Sequence, residues 1–226
     1  MSVWKASRGF GGKSFPLALL SNLESMILGA HVSLLGGSGA QLQNVLEYNT
    51  ELWSFEGAPT DLLSSELGKG ELRFKNLGRI RALMASQRSV RGPHPQRLRL
   101  DEADELELAI LDAALRQPMG KYGIQTQTVV SSTHQCPDGT MTEILRRARE
   151  RGYPIHEWCY RETSAPPHGW LALSEVERKR LEVPKAMWET EYDLGEPNPK
   201  GRAIITEKVK ASLKRELGEF EGSDGE

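Results

Sequence analysis

The sequence predicts an α/β domain built on a mostly parallel central sheet flanked by helices, with a small lid-like subdomain appended. Two observations carry that expectation. Short β-like runs alternate with helical ones through the first three-quarters of the chain, which is the pattern of a parallel sheet with crossover helices. From Tyr153 onward the texture changes to a Pro- and Gly-containing stretch that no longer alternates.

Taken in order, Ser2 to Ala6 reads as a strand, followed by a Gly-rich turn and an apolar helix from about Lys13 to Leu28. Pro16 falls in that helix's first turn, where the missing N–H would be unpaired anyway. His31 to Leu35 reads as a second strand, closed by a Gly-Gly-Ser-Gly turn and followed by a helix from Ala40 to Trp53. After a less regular stretch, Glu71 to Ser86 reads as a hairpin turning at Leu77-Gly78. Arg97 to Leu100 is a short strand ending in acids. Arg99 is awkward inside it, and implies either a stem that snorkels along the sheet or a partly open sheet face. Leu106, Ile110, Leu111 and Ala114 share helical spacing within Glu105 to Gln117. Thr126 to Ser132 is a strand and Met141 to Arg151 a strongly basic helix. A further strand across Ile155 to Glu162 leads to a loop and to Ser174-Glu175-Val176-Glu177, a capping box that would open a helix. The expected division is a core at 1–152, a lid or linker at 153–204, and a Gly/Ser/acid-rich, disordered tail at 205–226.

Composition sets outer limits. A chain of 226 residues with 38% hydrophobic content can bury a real core as one substantial domain. A net charge of -2 neither favours nor excludes nucleic acid. Two cysteines, Cys136 and Cys159, fit a reducing compartment better than a disulfide-stapled secreted fold. There is no apolar run of about 18 residues, the usual need of a membrane span, and no signal peptide at the N-terminus. A soluble, cytoplasmic protein without membrane contact is expected.

The segment Ser7-Arg8-Gly9-Phe10-Gly11-Gly12-Lys13-Ser14 follows a strand and opens a helix. In that setting glycines let backbone N–H groups curl around phosphates, and the helix N-terminus adds partial positive charge. Lys13 would neutralise the phosphates and Ser14 would ligate Mg²⁺. Ser7 stands where the usual pattern begins with glycine, so a Gly-rich turn without a ligand is the competing reading. Later, Leu98-Arg99-Leu100 ends in Asp101-Glu102. An ATPase needs one carboxylate near Mg²⁺, here Asp101, and one to deprotonate the attacking water, here Glu102. Alone, Asp101, Glu102, Asp104 and Glu105 are equally an ordinary acidic helix start. The conjunction of loop and acid pair is more specific than either, and points to a P-loop NTPase using ATP and Mg²⁺.

With those residues placed, the chain resembles the ATPase domain of bacteriophage large terminases over nearly its whole length. The loop is similar to the family's deviant Walker A, which often replaces the first glycine and carries an arginine inside, here Arg8. Ser89 to Glu105 resembles the Walker B region with its preceding arginine loop. Ser131, Ser132 and Thr133 lie in a stretch similar to the coupling motif, and Met187 to Ile204 is similar to the segment leading toward the nuclease. The resemblance implies a homo-oligomeric ring at a capsid portal, driving double-stranded DNA with each hydrolysis in the host cytoplasm. It implies the portal protein and the small terminase subunit as partners. It also implies an arginine acting in trans on the γ-phosphate, with Arg91 first and Arg88 second as candidates; both could equally cover the turn before Asp101. Family members usually carry an upstream segment that helps hold the adenine. The residues after Gly201 are too few to build a nuclease, so none is expected from this chain.

Other features have plainer readings. His134, Cys136, His156 and Cys159 are spaced closely enough to chelate zinc but form no standard finger, and decorating two adjacent segments is the preferred reading. The Arg146 to Arg151 run is read as a solvated helix face rather than a DNA contact. Trp158, Trp170 and Trp188 are expected to pack the smaller subdomain. Two rivals remain: a helicase-like ATPase, and a degenerate, non-hydrolysing remnant acting as a binding or assembly module.

Overall fold

A computed structural model describes residues 1–36, 39–64, 70–83 and 94–197. Seven strands form one sheet: β1 (Ser2–Ala6), β2 (His31–Gly36), β3 (Glu71–Arg73), β4 (Arg79–Leu83), β5 (Arg97–Asp101), β6 (Gln127–Ser132) and β7 (Ile155–Trp158), ordered β3-β4-β2-β5-β6-β1-β7. Every pairing is parallel except β3 with β4, the expected hairpin. Its turn uses Leu77 at φ 72, with Asn76 Oδ1 accepting the Gly78 N–H.

The main helices are α1 (Ser14–Leu28), α2 (Gly39–Glu51), α3 (Leu108–Ala114), α4 (Thr140–Arg151), a single turn α5 (Tyr160–Thr163) and α6 (Leu173–Glu182). They leave two apolar layers. Leu98, Leu100 and Val130 bury one sheet face against Met141, Ile144 and Leu145 of α4 and Leu111 of α3. Val32, Leu34 and Ile80 join Val45, Leu46 and Trp53 on the other side. A third, smaller cluster, Val176, Trp188 and Tyr192 with Phe10 and Tyr160 packed on it, ties the C-terminal segment to the Gly-rich loop after β1.

The strand alternation of β5 decides what its polar residues meet. Leu98 and Leu100 point into the α4 layer, so Arg97, Arg99 and Asp101 all face α1. Arg99 is fully buried rather than snorkelling or lying on an open face. Its guanidinium pairs with Glu24 of α1 and donates to Gln127 Oε1 at 3.0 Å, while Arg97 holds the other Glu24 oxygen at 2.7 Å. Desolvation outweighs Glu24 and brings the Arg99 pKa down to about 10, still charged at neutral pH.

Three expected elements are corrected. The helix expected at Glu105 to Gln117 is split into a 3-10 turn, Ala103–Glu105, and the short α3, because Leu106 turns inward with extended backbone between them. The strand expected to Glu162 stops at Trp158: Cys159 caps α5, its sulfur accepting the Arg161 N–H while Glu162 accepts the Cys159 N–H. The capping box belongs there and not at Ser174, since α6 starts two residues earlier than that box would set, after Ala172, with no side-chain cap. Among the described residues no helix is long and apolar enough to cross a membrane.

Candidate nucleotide-binding site

The Gly-rich loop joins the end of β1 to the start of α1. Gly9 and Gly12 have positive φ, 66 and 61, and a Cβ on Gly11 would lie 2.7 Å from the Ala6 Cβ. These are positions where side chains are disfavoured by conformation or by space. No side chain caps α1 and no acid lies in its first turn, so its positive end faces the loop without a built-in counter-charge.

Lys13 is buried, and its ammonium converges on three groups: Thr133 Oγ1 at 3.0 Å, Glu102 Oε1 at 3.4 Å and the Ser7 carbonyl at 3.5 Å. Ser14 Oγ donates to Asp101 Oδ2 at 2.7 Å. The other Asp101 oxygen and the Ser131 hydroxyl are both buried, and Ser131 lies close enough to stabilise the ionised carboxylate. Burial is the main reason the Asp101 carboxyl is pushed above its ordinary range, with Glu102 adding to it and Ser14 and Lys13 opposing. Hydroxyls beside a buried carboxylate are a donor set suited to a hard divalent cation. Glu102 follows with φ 50, a left-handed conformation that is strained for a side chain of this kind. That twist sends it from the sheet end toward Lys13 while Asp101 stays under Ser14.

Thr133 is wedged between the two strands, donating to the Ala6 carbonyl at 3.0 Å while meeting Lys13. Ser132 Oγ accepts the Asp104 N–H at 3.0 Å. Asp104 then accepts three backbone N–H groups with its two oxygens: Met141 at 2.8 Å, Gln135 at 2.9 Å and Cys136 at 3.2 Å. This carboxylate stitches the turn after Glu102 to the loop after β6 and to the start of α4. In the sequence it is one acid among four. Its offset from Asp101 was visible, but the amides it binds come from a distant segment.

The outer side of the loop is held by the chain beyond β7. Ser7, in place of the usual glycine, donates to the Tyr192 carbonyl at 2.6 Å and accepts the Tyr160 N–H at 3.2 Å. Trp158 Nε1 donates to the Gly11 carbonyl at 2.6 Å and Thr163 Oγ1 to the Phe10 carbonyl at 2.8 Å. Arg8 pairs with Glu191 at 2.8 Å, a bond that raises its pKa, with Glu102 a smaller contributor. Trp188 packs the small cluster, stacked on Tyr192 at 4.5 Å. Trp170 does not: it is 62% exposed and stands over Gly12 at the mouth of the cavity.

Arg88 and Arg91 lie outside the described residues. Among the described residues no group of three or more His, Cys, Asp or Glu side chains could hold a metal ion, and His134, Cys136, His156 and Cys159 form none. On α4, Arg146 pairs with Glu143 and Glu150, and Arg147 with Glu143 and Asp112.

No protein-family model matches the chain, and no curated protein matches it. Solved structures do. A large terminase from a thermophilic bacteriophage superposes with a TM-score of 0.67 at 13% identity, over 84% of this chain and 47% of that one. The fold is that of a phage large terminase ATPase domain. The bacteriophage HK97 large terminase matches at 0.58 and 12% identity, over 94% of this chain and 44% of that one. A variant of the isolated large terminase ATPase domain of Thermus phage P74-26 matches at 0.58 and 12% identity, over 85% and 87%. This chain therefore spans less than half the length of the whole large terminases, and nearly all of the isolated ATPase domain. The thermophilic phage terminase has also been solved with ATP-gamma-S, where the match is 0.64 at 11% identity over 84% and 46%, and with ADP.

Proposed function

We propose that this chain is an ATP-hydrolysing motor domain of a phage DNA-packaging terminase. The observation that carries the reading is the convergence of Lys13, Ser14, Asp101, Glu102 and Thr133 at the C-terminal ends of β1, β5 and β6, three neighbouring parallel strands. Ligands of open α/β sheets gather at that edge.

In this reading the loop amides and the start of α1 receive the triphosphate, and Lys13 exchanges its contacts with Glu102 and Thr133 for phosphate oxygens. Ser14 and Asp101 would hold Mg²⁺, which supplies charge neutralisation on the phosphates when bound. Released from Lys13, Glu102 orients a water and takes its proton. Thr133, touching both Lys13 and β1, registers whether the γ-phosphate is present and passes this through Ser132 and Asp104 to α4. Arg8 is held by Glu191 on the outer side, where it can assist the phosphates only by leaving that pair. Arg91, with Arg88 behind it, is proposed as the arginine acting in trans across a homo-oligomeric ring. Residues beyond β7 act as the lid. Double-stranded DNA, the portal protein and the small terminase subunit are the proposed partners, in the host cytoplasm at the capsid portal.

Glu102→Gln is expected to keep ATP binding, measured calorimetrically, and to lower kcat about 100-fold or more. Turnover at the wild-type rate would remove Glu102 from the base role. ATP binding by the wild type without hydrolysis, even with portal and DNA present, would favour the binding-module reading.

A further inference from the structure

One feature left unused by the proposed phosphate chemistry is the rest of the same cavity. The cavity measures about 1020 Å³ and runs from Gly12, Lys13 and Ser14 out to Phe15, Pro16 and Tyr48, with Trp170 along its wall. That is several times what a triphosphate needs and within the range of pockets that hold whole small-molecule ligands. Its two ends differ in chemistry. One offers an ammonium and a helix N-terminus. The other offers aromatic rings and the carboxylates of Glu47 and Glu51, which would repel phosphate. Phe15 and Tyr48 meet there edge to face, at 6.2 Å between centroids, and each is more than a third exposed.

Trp170 is built to stay where it is. Its ring reaches within 3.0 Å of where a Cβ on Gly12 would sit. Gly169 donates its N–H to Ala165 at 2.8 Å and Leu171 to Thr163 at 3.1 Å, and Leu171 packs on the Trp188 cluster. A Cβ on Gly169 would fall 2.5 Å from the Ser164 carbonyl carbon. Thr163 in turn grips the phosphate loop through Phe10. The backbone on both sides of Trp170 is therefore fixed to the loop, while the residue remains 62% exposed beside the cavity. A tryptophan held on a fixed support with an open face beside a phosphate site is a stacking surface.

We propose that Trp170 is the platform on which the base of a bound nucleotide stacks, with Phe15 and Tyr48 lining the same cavity. The assignment rests on the nucleotide-binding reading above and adds the base subsite to it. It assigns base contact to the segment after β7. Because stacking uses the ring face and no hydrogen bond to a base edge, purine triphosphates bind there with similar affinity.

The test compares binding of ATP with binding of inorganic tripolyphosphate, each with Mg²⁺, by calorimetry on the whole chain. Trp170→Ala is expected to weaken ATP about 10-fold or more and to leave tripolyphosphate unchanged, and Trp170→Phe to recover most of the ATP affinity. Equal weakening of both ligands would mean that Trp170 merely supports the loop, and would overturn the proposal. So would unchanged ATP binding. A wild-type chain that binds neither ligand would sink the nucleotide reading itself, whereas tripolyphosphate binding lost in Lys13→Ala but intact in Trp170→Ala keeps that reading whatever the base does. An unchanged circular dichroism spectrum and Tm in Trp170→Ala establishes that the variant is folded, as expected for an exposed side chain.

Discussion

The two sides of the phosphate loop are held by different means. On the inner side the contacts are between side chains that carry chemistry: Lys13 with Thr133 and Glu102, and Ser14 with Asp101. They are buried, charged or charge-assisted, and each partner must be the residue type it is. On the outer side the loop offers mainly backbone carbonyls, at Gly11 and Phe10, and receives an indole N–H and a hydroxyl. Ser7 adds a further bond to a backbone carbonyl. Any donor of suitable reach could serve there. The inner side thus sets what reaction the site can run, and the outer side sets how rigidly the loop is presented.

That contrast can be broken most strongly from the inner side. Asp104→Ala removes the acceptor of three backbone N–H groups in a partly buried setting. Unsatisfied buried donors cost about 1–3 kcal/mol each. A loss of about 3 kcal/mol in urea unfolding is expected, with kcat falling more than KM rises, since the coupling loop is displaced while the phosphate loop is not. Asp104→Asn, which keeps one carbonyl oxygen, recovers part of both. If kcat were unaffected in a folded Asp104→Ala chain, Asp104 would be a structural staple only.

On the outer side, Thr163→Val loses the bond to Phe10 at nearly constant volume. About 1 kcal/mol of stability is at stake, and the expected signature is opposite: KM for ATP rises while kcat holds. A larger fall in kcat than rise in KM would erase the distinction between the two sides.

The smallest effect sits where the sides meet. His134 is buried next to Thr133, with Nδ1 3.6 Å from Glu196 of the outer segment and Nε2 2.7 Å from Thr142 Oγ1. Burial lowers its pKa below the ordinary 6.5, Lys5 and Arg149 adding to this and Glu196 and Asp104 opposing. A histidine depressed in the folded chain takes its proton first in the unfolded one, so its contribution is complete above pH 6.5 and fades as pH falls. A Tm drop between pH 7.5 and 5.5 worth about 1 kcal/mol or less is expected, reduced in His134→Gln. An equal drop in that variant would assign the pH dependence elsewhere.

Much of this was legible in sequence because it is local. The Gly-Lys-Ser turn, the helix it opens and the acid pair at a strand end are each written within a few adjacent residues, and backbone conformation there follows from short-range sterics. The alternation along β5 was also written, but its consequence was not: nothing near Arg99 reveals that Glu24 waits on the helix opposite. The capping box was misplaced for a similar reason. Ser174 and Glu177 have the right spacing, yet Leu171 is anchored in the Trp188 cluster, and the chain enters its helix before that box can form.

By itself, then, the sequence determined the α/β class, the order of the central elements, the Gly-rich loop between β1 and α1 and the identity of the acids beside it. Tertiary structure alone decided that Ser7 is a strap and not a defective glycine, that Asp104 binds three distant amides, and that Trp170 faces a cavity while Trp188 is buried. The physical reason is range. A turn or a strand end depends on neighbours in the chain, whereas a hydrogen bond spanning the 185 positions between Ser7 and Tyr192 exists only once the sheet has brought its two ends together.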